Sequence, residues 1–147
     1  MSFKGASKRL EKIERNDKGT LYKDFAHAPS KVKAVVKAFC EQFPTEKKYG
    51  FLELHTYSSL NPVFLEQYDS ALDGLDEAIV FYSEEALKIK RMDAISADFI
   101  KKKFKNEELK GFKNAEDLHS YWENLDKTEG VFLMMSSGNF GGLDLAK

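Results

Sequence analysis

Lys23-Asp24-Phe25-Ala26-His27-Ala28-Pro29-Ser30 is where the chain changes its period. Before it, Thr20-Leu21-Tyr22-Lys23-Asp24 alternates, with Leu21 and Lys23 facing opposite ways to Tyr22 and Asp24, as a strand requires. After it, Val32, Val35, Val36, Phe39, Cys40 and Phe43 recur at helical spacing between lysines and acids, and Pro44 stops the run. Ser30 is the expected N-cap of that helix. Asp24 and His27 therefore fall where a strand hands over to a helix. In open α/β sheets this edge is where ligands bind, because helix N-termini and loop amides converge there.

Working outward, Asn16-Asp17-Lys18-Gly19 supplies turn residues between Leu10–Glu14 and Thr20–Asp24, which predicts a hairpin. Tyr49-Gly50-Phe51-Leu52-Glu53-Leu54 suits a buried strand, and His55 to Pro62 follows as a polar loop. A helix is expected from about Val63 to Leu72, with Phe64, Leu65, Tyr68 and Leu72 on one face. Asp76 to Tyr82 is apolar almost without interruption, as in a parallel strand covered on both faces. Ile95 to Phe104 reads as a helix with Ser96 at or near its cap, and Phe112 falls in a short strand. Asn114 can cap a helix running through Leu118, Tyr121, Trp122 and Leu125. Val131–Met135 is the last strand, and it runs into Ser136-Ser137-Gly138-Asn139-Phe140-Gly141-Gly142.

Strands that alternate with helices imply an α/β fold: a Rossmann-like, mostly parallel sheet with helices on both faces and an N-terminal β-hairpin. Asp24, His55, Tyr82 and Ser136 then mark strand ends along one edge. At 147 residues the chain fits one domain, 1–147, with enough apolar residues (42%) to bury a core. A formal net charge of −1 gives no electrostatic case for nucleic acid or an anionic membrane. The lysines at 101, 102, 103 and 105 are followed by Glu107 and Glu108 and read as a solvated helix face. The single cysteine, Cys40, lies in an apolar helical run and reads as a buried, inert thiol. No stretch approaches the roughly 18 apolar residues of a membrane span, and the first residues lack a signal-peptide core, so the expected setting is the cytoplasm.

Three segments could carry chemistry. Asp24 and His27 fit an acid–base pair, a phosphate or metal ligand pair, or a helix cap, and functional and structural readings stand level. His55 with the hydroxyls of Thr56, Tyr57, Ser58 and Ser59 could bind an anion or cap the following helix. Ser136, Ser137, Gly138, Asn139, Gly141 and Gly142 form a turn whose glycines allow close approach to a phosphate or merely a tight bend. The sequence has no GxxxxGKS/T phosphate loop and no metal-ligand spacing, so no metal site is expected. No residue stands out as a certain catalyst, and a small hydrolase built on Asp24 and His27 lacks a nucleophile. His119 reads as a surface residue.

Together these landmarks resemble the C-terminal domain of the Mur ligases, ATP-dependent enzymes that build the peptidoglycan peptide. Phe3-Lys4-Gly5-Ala6-Ser7-Lys8-Arg9-Leu10-Glu11 is similar to the family's FKGxxRRLE, and Asp24–Ser30 to its D-Y/F-A/G-H-H-P-T. His55-Thr56-Tyr57-Ser58-Ser59 stands where the family has H-R-Y-S/T-R or P-R-S-N-T. Met135–Gly142 is similar to the MSNGGFGG of the murein peptide ligase branch. Ala28 replaces the family's second histidine, and Thr56 and Ser59 stand where alanine-adding ligases carry arginines, which removes two bidentate cations.

The resemblance implies a three-domain ligase that uses ATP and Mg²⁺ to join an amino acid or peptide acceptor to UDP-N-acetylmuramate through an acyl phosphate. This chain would be its last domain, excised from the N-terminal and central domains. Alone it is expected to be inactive and to hold no cofactor. By the same resemblance Asp24 and His27 face the nucleotide on closure, His55 to Ser59 place substrate, and Ser136 to Gly142 lie by the acceptor or the domain interface. The competing expectation is a stand-alone nucleotide- or partner-binding regulatory module without catalysis.

Overall fold

The computed structural model describes residues 11–13, 20–24, 28–54, 65–83, 96–125, 130–136 and 140. Six strands form one sheet: β1 (Glu11–Ile13), β2 (Thr20–Asp24), β3 (Lys48–Leu54), β4 (Glu77–Tyr82), β5 (Lys110–Phe112) and β6 (Val131–Met135), in the order β1-β2-β6-β3-β4-β5. Only the β1–β2 pair is antiparallel, as the hairpin reading requires; the four other pairs are parallel. Three α-helices are described: α1 (Pro29–Gln42), α2 (Ala97–Phe104) and α3 (Ala115–Asn124).

The strand order dictates the layers. From β3 to β4 to β5 the chain steps one way across the sheet, and from β5 it returns to insert β6 between β2 and β3. A crossover of fixed hand sends forward steps over one face and backward steps over the other. Accordingly α1, the 65–72 segment and α2 cover one face, packing Val32, Val36, Phe39, Leu65, Tyr68, Ile100 and Phe104 against Leu52, Val80 and Leu133. The returning helix α3 covers the other, packing Leu118 and Trp122 against Phe51, Ile79, Phe132 and Met134. Every residue of β3 and of β6 is buried, so these central strands are covered on both faces.

Two local expectations are corrected. Ser30 is not the N-cap of α1: the helix starts at Pro29, two residues earlier than that cap would place it, after Ala28 in an extended conformation. Proline already has the helical φ and no N–H, which removes one of the first turn's orphan donors. Nor does a helix run through Leu72. Glu66–Tyr68 is a single 3-10 turn, and Ser70 has a φ of +61°, which an α-helix cannot continue through. Leu65, Tyr68 and Leu72 are buried all the same. The other caps fall where the side chains predict: Ser96 Oγ accepts from the Phe99 amide at 3.1 Å, and Asn114 Oδ1 from the Asp117 amide at 2.9 Å.

The N-terminal end of the sheet is latched by polar groups. The Lys48 amide donates to Asp76 Oδ2 at 2.7 Å, and the Asp76 amide returns to the Lys48 carbonyl at 2.8 Å. The buried Lys48 ammonium donates to the carbonyls of Phe43 and Glu46 at 3.0 and 3.1 Å, which satisfies it where α1 ends. Beside it, Gly130 (φ +94°) lets the Val131 amide reach the Lys47 carbonyl at 2.8 Å.

Candidate functional site

The opposite end of the sheet is the rim expected to hold the site. Register places Asp24 of β2 beside Met135 of β6, and Met135 beside Leu52 of β3. The segments 25–30, 55–62 and 136–142 therefore leave three adjacent strands at their carboxyl ends. After β2 and β3 the chain passes to the α1 face, whereas Phe140, four residues beyond Ser136, is packed in the core under α3. Connections that diverge to opposite faces open a crevice between strand ends, and this is where parallel α/β sheets take up ligands.

Three polar side chains are fixed on this rim. Asp24, Glu53 and Ser136 are all buried. By strand alternation Asp24 shares the α1 face with Tyr22, while Glu53 and Ser136 share the α3 face with Phe51 and Met134. The Ser136 amide donates to the Asp24 carbonyl at 3.0 Å. The Ser136 hydroxyl donates to Glu53 Oε1 at 2.5 Å, and the Phe140 amide donates to the same oxygen at 2.9 Å. Phe140 has a φ of +54°, a left-handed conformation that costs a non-glycine residue roughly 1–2 kcal/mol. Its ring is buried in the second core, and its carbonyl lies 3.4 Å from His119 Nε2.

Glu53 was not among the residues singled out from the sequence. The signal was available: it is the one acid in a fully covered strand whose neighbours Phe51, Leu52 and Leu54 are apolar, one residue before the strand's end. His119 is also corrected, from surface residue to a half-buried group against the Phe140 carbonyl. Cys40 is half-buried rather than enclosed, and burial pushes its thiol up from the ordinary value. Of the predicted site residues, the structure describes Asp24 and Ser136. His27, His55, Thr56, Tyr57, Ser58, Ser59, Ser137, Gly138, Asn139, Gly141 and Gly142 lie outside the described residues.

The basic cluster on α2 is a solvated face, with Lys103 paired to Glu66 at 3.3 Å and Lys105 to Asp69 at 3.0 Å. Among the described residues no group of three or more histidine, cysteine or acidic side chains could hold a metal ion. None of the helices among them is long and apolar enough to cross a membrane.

Sequence and fold are both similar to those of Mur ligases. No protein-family profile matches the chain. It is 24% identical to a UDP-N-acetylmuramate–L-alanine ligase of Brachyspira hyodysenteriae over 94% of its length, and it spans 30% of that relative. Among solved structures, a murein peptide ligase of Psychrobacter arcticus 273-4 superposes with a TM-score of 0.66 at 14% identity, over 93% of this chain and 28% of that one. The alanine-adding ligase of Thermotoga maritima superposes with a TM-score of 0.59 at 20% identity, over 90% of this chain and 27% of that one. The likeness to the Mur ligases thus runs through nearly the whole chain, and the fold is that of a Mur ligase C-terminal domain.

Proposed function

We propose that this relative of the Mur ligases works as the C-terminal domain of an ATP-dependent amide ligase. The enzyme joins an amino acid or peptide to UDP-N-acetylmuramate in peptidoglycan synthesis or recycling. In this reading the domain is one of three, and it closes over ATP and Mg²⁺ held by the central domain. Asp24 and His27 face the nucleotide. His55 to Ser59 receive substrate, and the turn from Ser136 to Gly142 borders the acceptor. The chemistry asked of such a domain is placement: holding an amine in line with an activated carboxyl group, where small displacements are costly.

One observation supports this reading above the others. Three of the four segments that resemble family motifs leave from adjacent strand ends, β2, β6 and β3, in register at Asp24, Met135 and Leu52. The test is phosphate release by the complete encoded protein with ATP, Mg²⁺, UDP-N-acetylmuramate and a panel of acceptors that includes L-alanine and a muropeptide tripeptide. Acceptor-dependent release is expected. Nucleotide binding without release for any acceptor would favour the regulatory module.

A further inference from the structure

We infer that Glu53 is the positioning residue for the turn that follows β6. A single carboxylate oxygen accepts from both ends of that turn, from the Ser136 hydroxyl at 2.5 Å and from the Phe140 amide at 2.9 Å. Packing does not explain an acid there. Phe51, two residues back on the same face, is apolar, and a leucine at 53 would fill a core without the cost of burying a carboxylate. What the carboxyl group adds includes the hydrogen bonds to Ser136 and Phe140, which leucine could not accept.

The partners it holds need holding. Ser136 is tied through its own amide to the Asp24 carbonyl, so β2 and β3 both fix the first residue of the turn. Phe140 is a non-glycine residue in the left-handed region, a conformation that persists only where its surroundings impose it. Glu53 comes from β3, which is hydrogen-bonded on both sides, by β6 and β4. Ser136 and Phe140 are thereby both fixed to one oxygen of β3. The catalytic half of this assignment rests on the function proposed above, in which the turn borders the acceptor.

Two measurements on the complete encoded protein test it with Glu53→Leu, Glu53→Gln and Ser136→Ala. The first is amide hydrogen exchange. In Glu53→Leu the Phe140 amide should exchange at least about tenfold faster, the scale of a lost hydrogen bond to a charged group, while Leu133 and Met135 in β6 stay protected. Glu53→Gln keeps an acceptor oxygen and should restore most of the protection. Should Glu53→Leu fail to fold, Ser136→Ala removes one of the two bonds and should give a smaller rise at the same amide. Unchanged exchange at Phe140 in the folded variants overturns the assignment.

The second measurement is the kinetic split in ligation. Glu53→Leu should raise the acceptor KM by about tenfold, with the KM for ATP unmoved and Glu53→Gln rescuing the effect. A uniform loss of kcat with every KM unchanged would overturn a positioning role. Faster Phe140 exchange beside an unmoved acceptor KM would leave the clamp standing and overturn the acceptor role proposed for the turn. Absence of ligation in the unsubstituted protein would count against the proposed function alone.

Discussion

The Ser136 amide donates to the Asp24 carbonyl at 3.0 Å, one step beyond Met135, the last residue of β6. The ladder between β2 and β6 therefore continues to the root of both polar segments. Whatever the segments beyond them do, Asp24 and Ser136 are held to each other by the sheet itself.

His27 follows Asp24 by three residues, at the handover from β2 to α1. Under the proposed ligase function, His27→Ala in the complete encoded protein should lower kcat by roughly 10²-fold, the usual scale for a lost proton-transfer or charge-stabilising group. The circular dichroism of the protein should not change. An unaltered kcat would make His27 a loop residue without a part in the reaction.

Trp122 is fully buried, with its ring edge-on to Phe51 at 5.4 Å and Phe132 at 5.8 Å. Trp122→Ala should cost about 3–5 kcal/mol through lost burial and the remaining cavity, and Trp122→Phe distinctly less. Urea unfolding followed by far-UV circular dichroism measures both. A loss below about 1 kcal/mol in the alanine variant would show that α3 does not depend on this contact.

Gly130 and Gly74 both have positive φ, +94° and +97°. A Cβ at Gly130 would lie 2.8 Å from the Lys47 carbonyl oxygen, whereas one at Gly74 would lie 3.0 Å from Cys40 Sγ. Backbone cannot step aside as a side chain can. Gly130→Ala and Gly74→Ala should each destabilise by about 1–3 kcal/mol, with Gly130→Ala the worse. Thermal unfolding ranks them, and the reverse order would contradict the backbone clash.

Burial, with Glu77 and Tyr49 adding to it, pushes the Tyr121 phenol up to about 12 from 10.0, and burial pushes Tyr68 higher still. In the unfolded chain both phenols lose their protons near 10, while the folded protein retains them. Stability from this source is complete below pH 10 and is lost as pH rises toward the folded values. An alkaline titration should show tyrosinate from these two residues appearing late and together with unfolding. A single transition near pH 10 for all the tyrosines in still-folded protein would refute the burial.

Most of the framework was legible because its signals are local. The Val131–Met135 strand and the Ser96 and Asn114 caps each depend on residues within a few positions of one another, whereas the turn expected at Asn16–Gly19 lies outside the described residues. The order of strands was less so, because nothing near Val131 in the sequence says that it slots between β2 and β3. The helix expected to Leu72 failed because the spacing of Leu65, Tyr68 and Leu72 is satisfied equally by a 3-10 turn and a bend at Ser70. Glu53 stayed hidden for a related reason. Its partners, Ser136 and Phe140, are 83 and 87 residues away, and only the folded sheet shows why an acid is kept inside a strand.

The place of β6 also has a consequence for synthesis. The strand that joins the amino-terminal hairpin to the rest of the sheet is the last of the six to leave the ribosome. Until Val131–Met135 emerges, β2 lacks its parallel neighbour and β3 exposes the edge that β6 will occupy. A nascent chain stalled before that point is two fragments of a sheet with open flanks, the kind of intermediate that invites mispairing or chaperone capture.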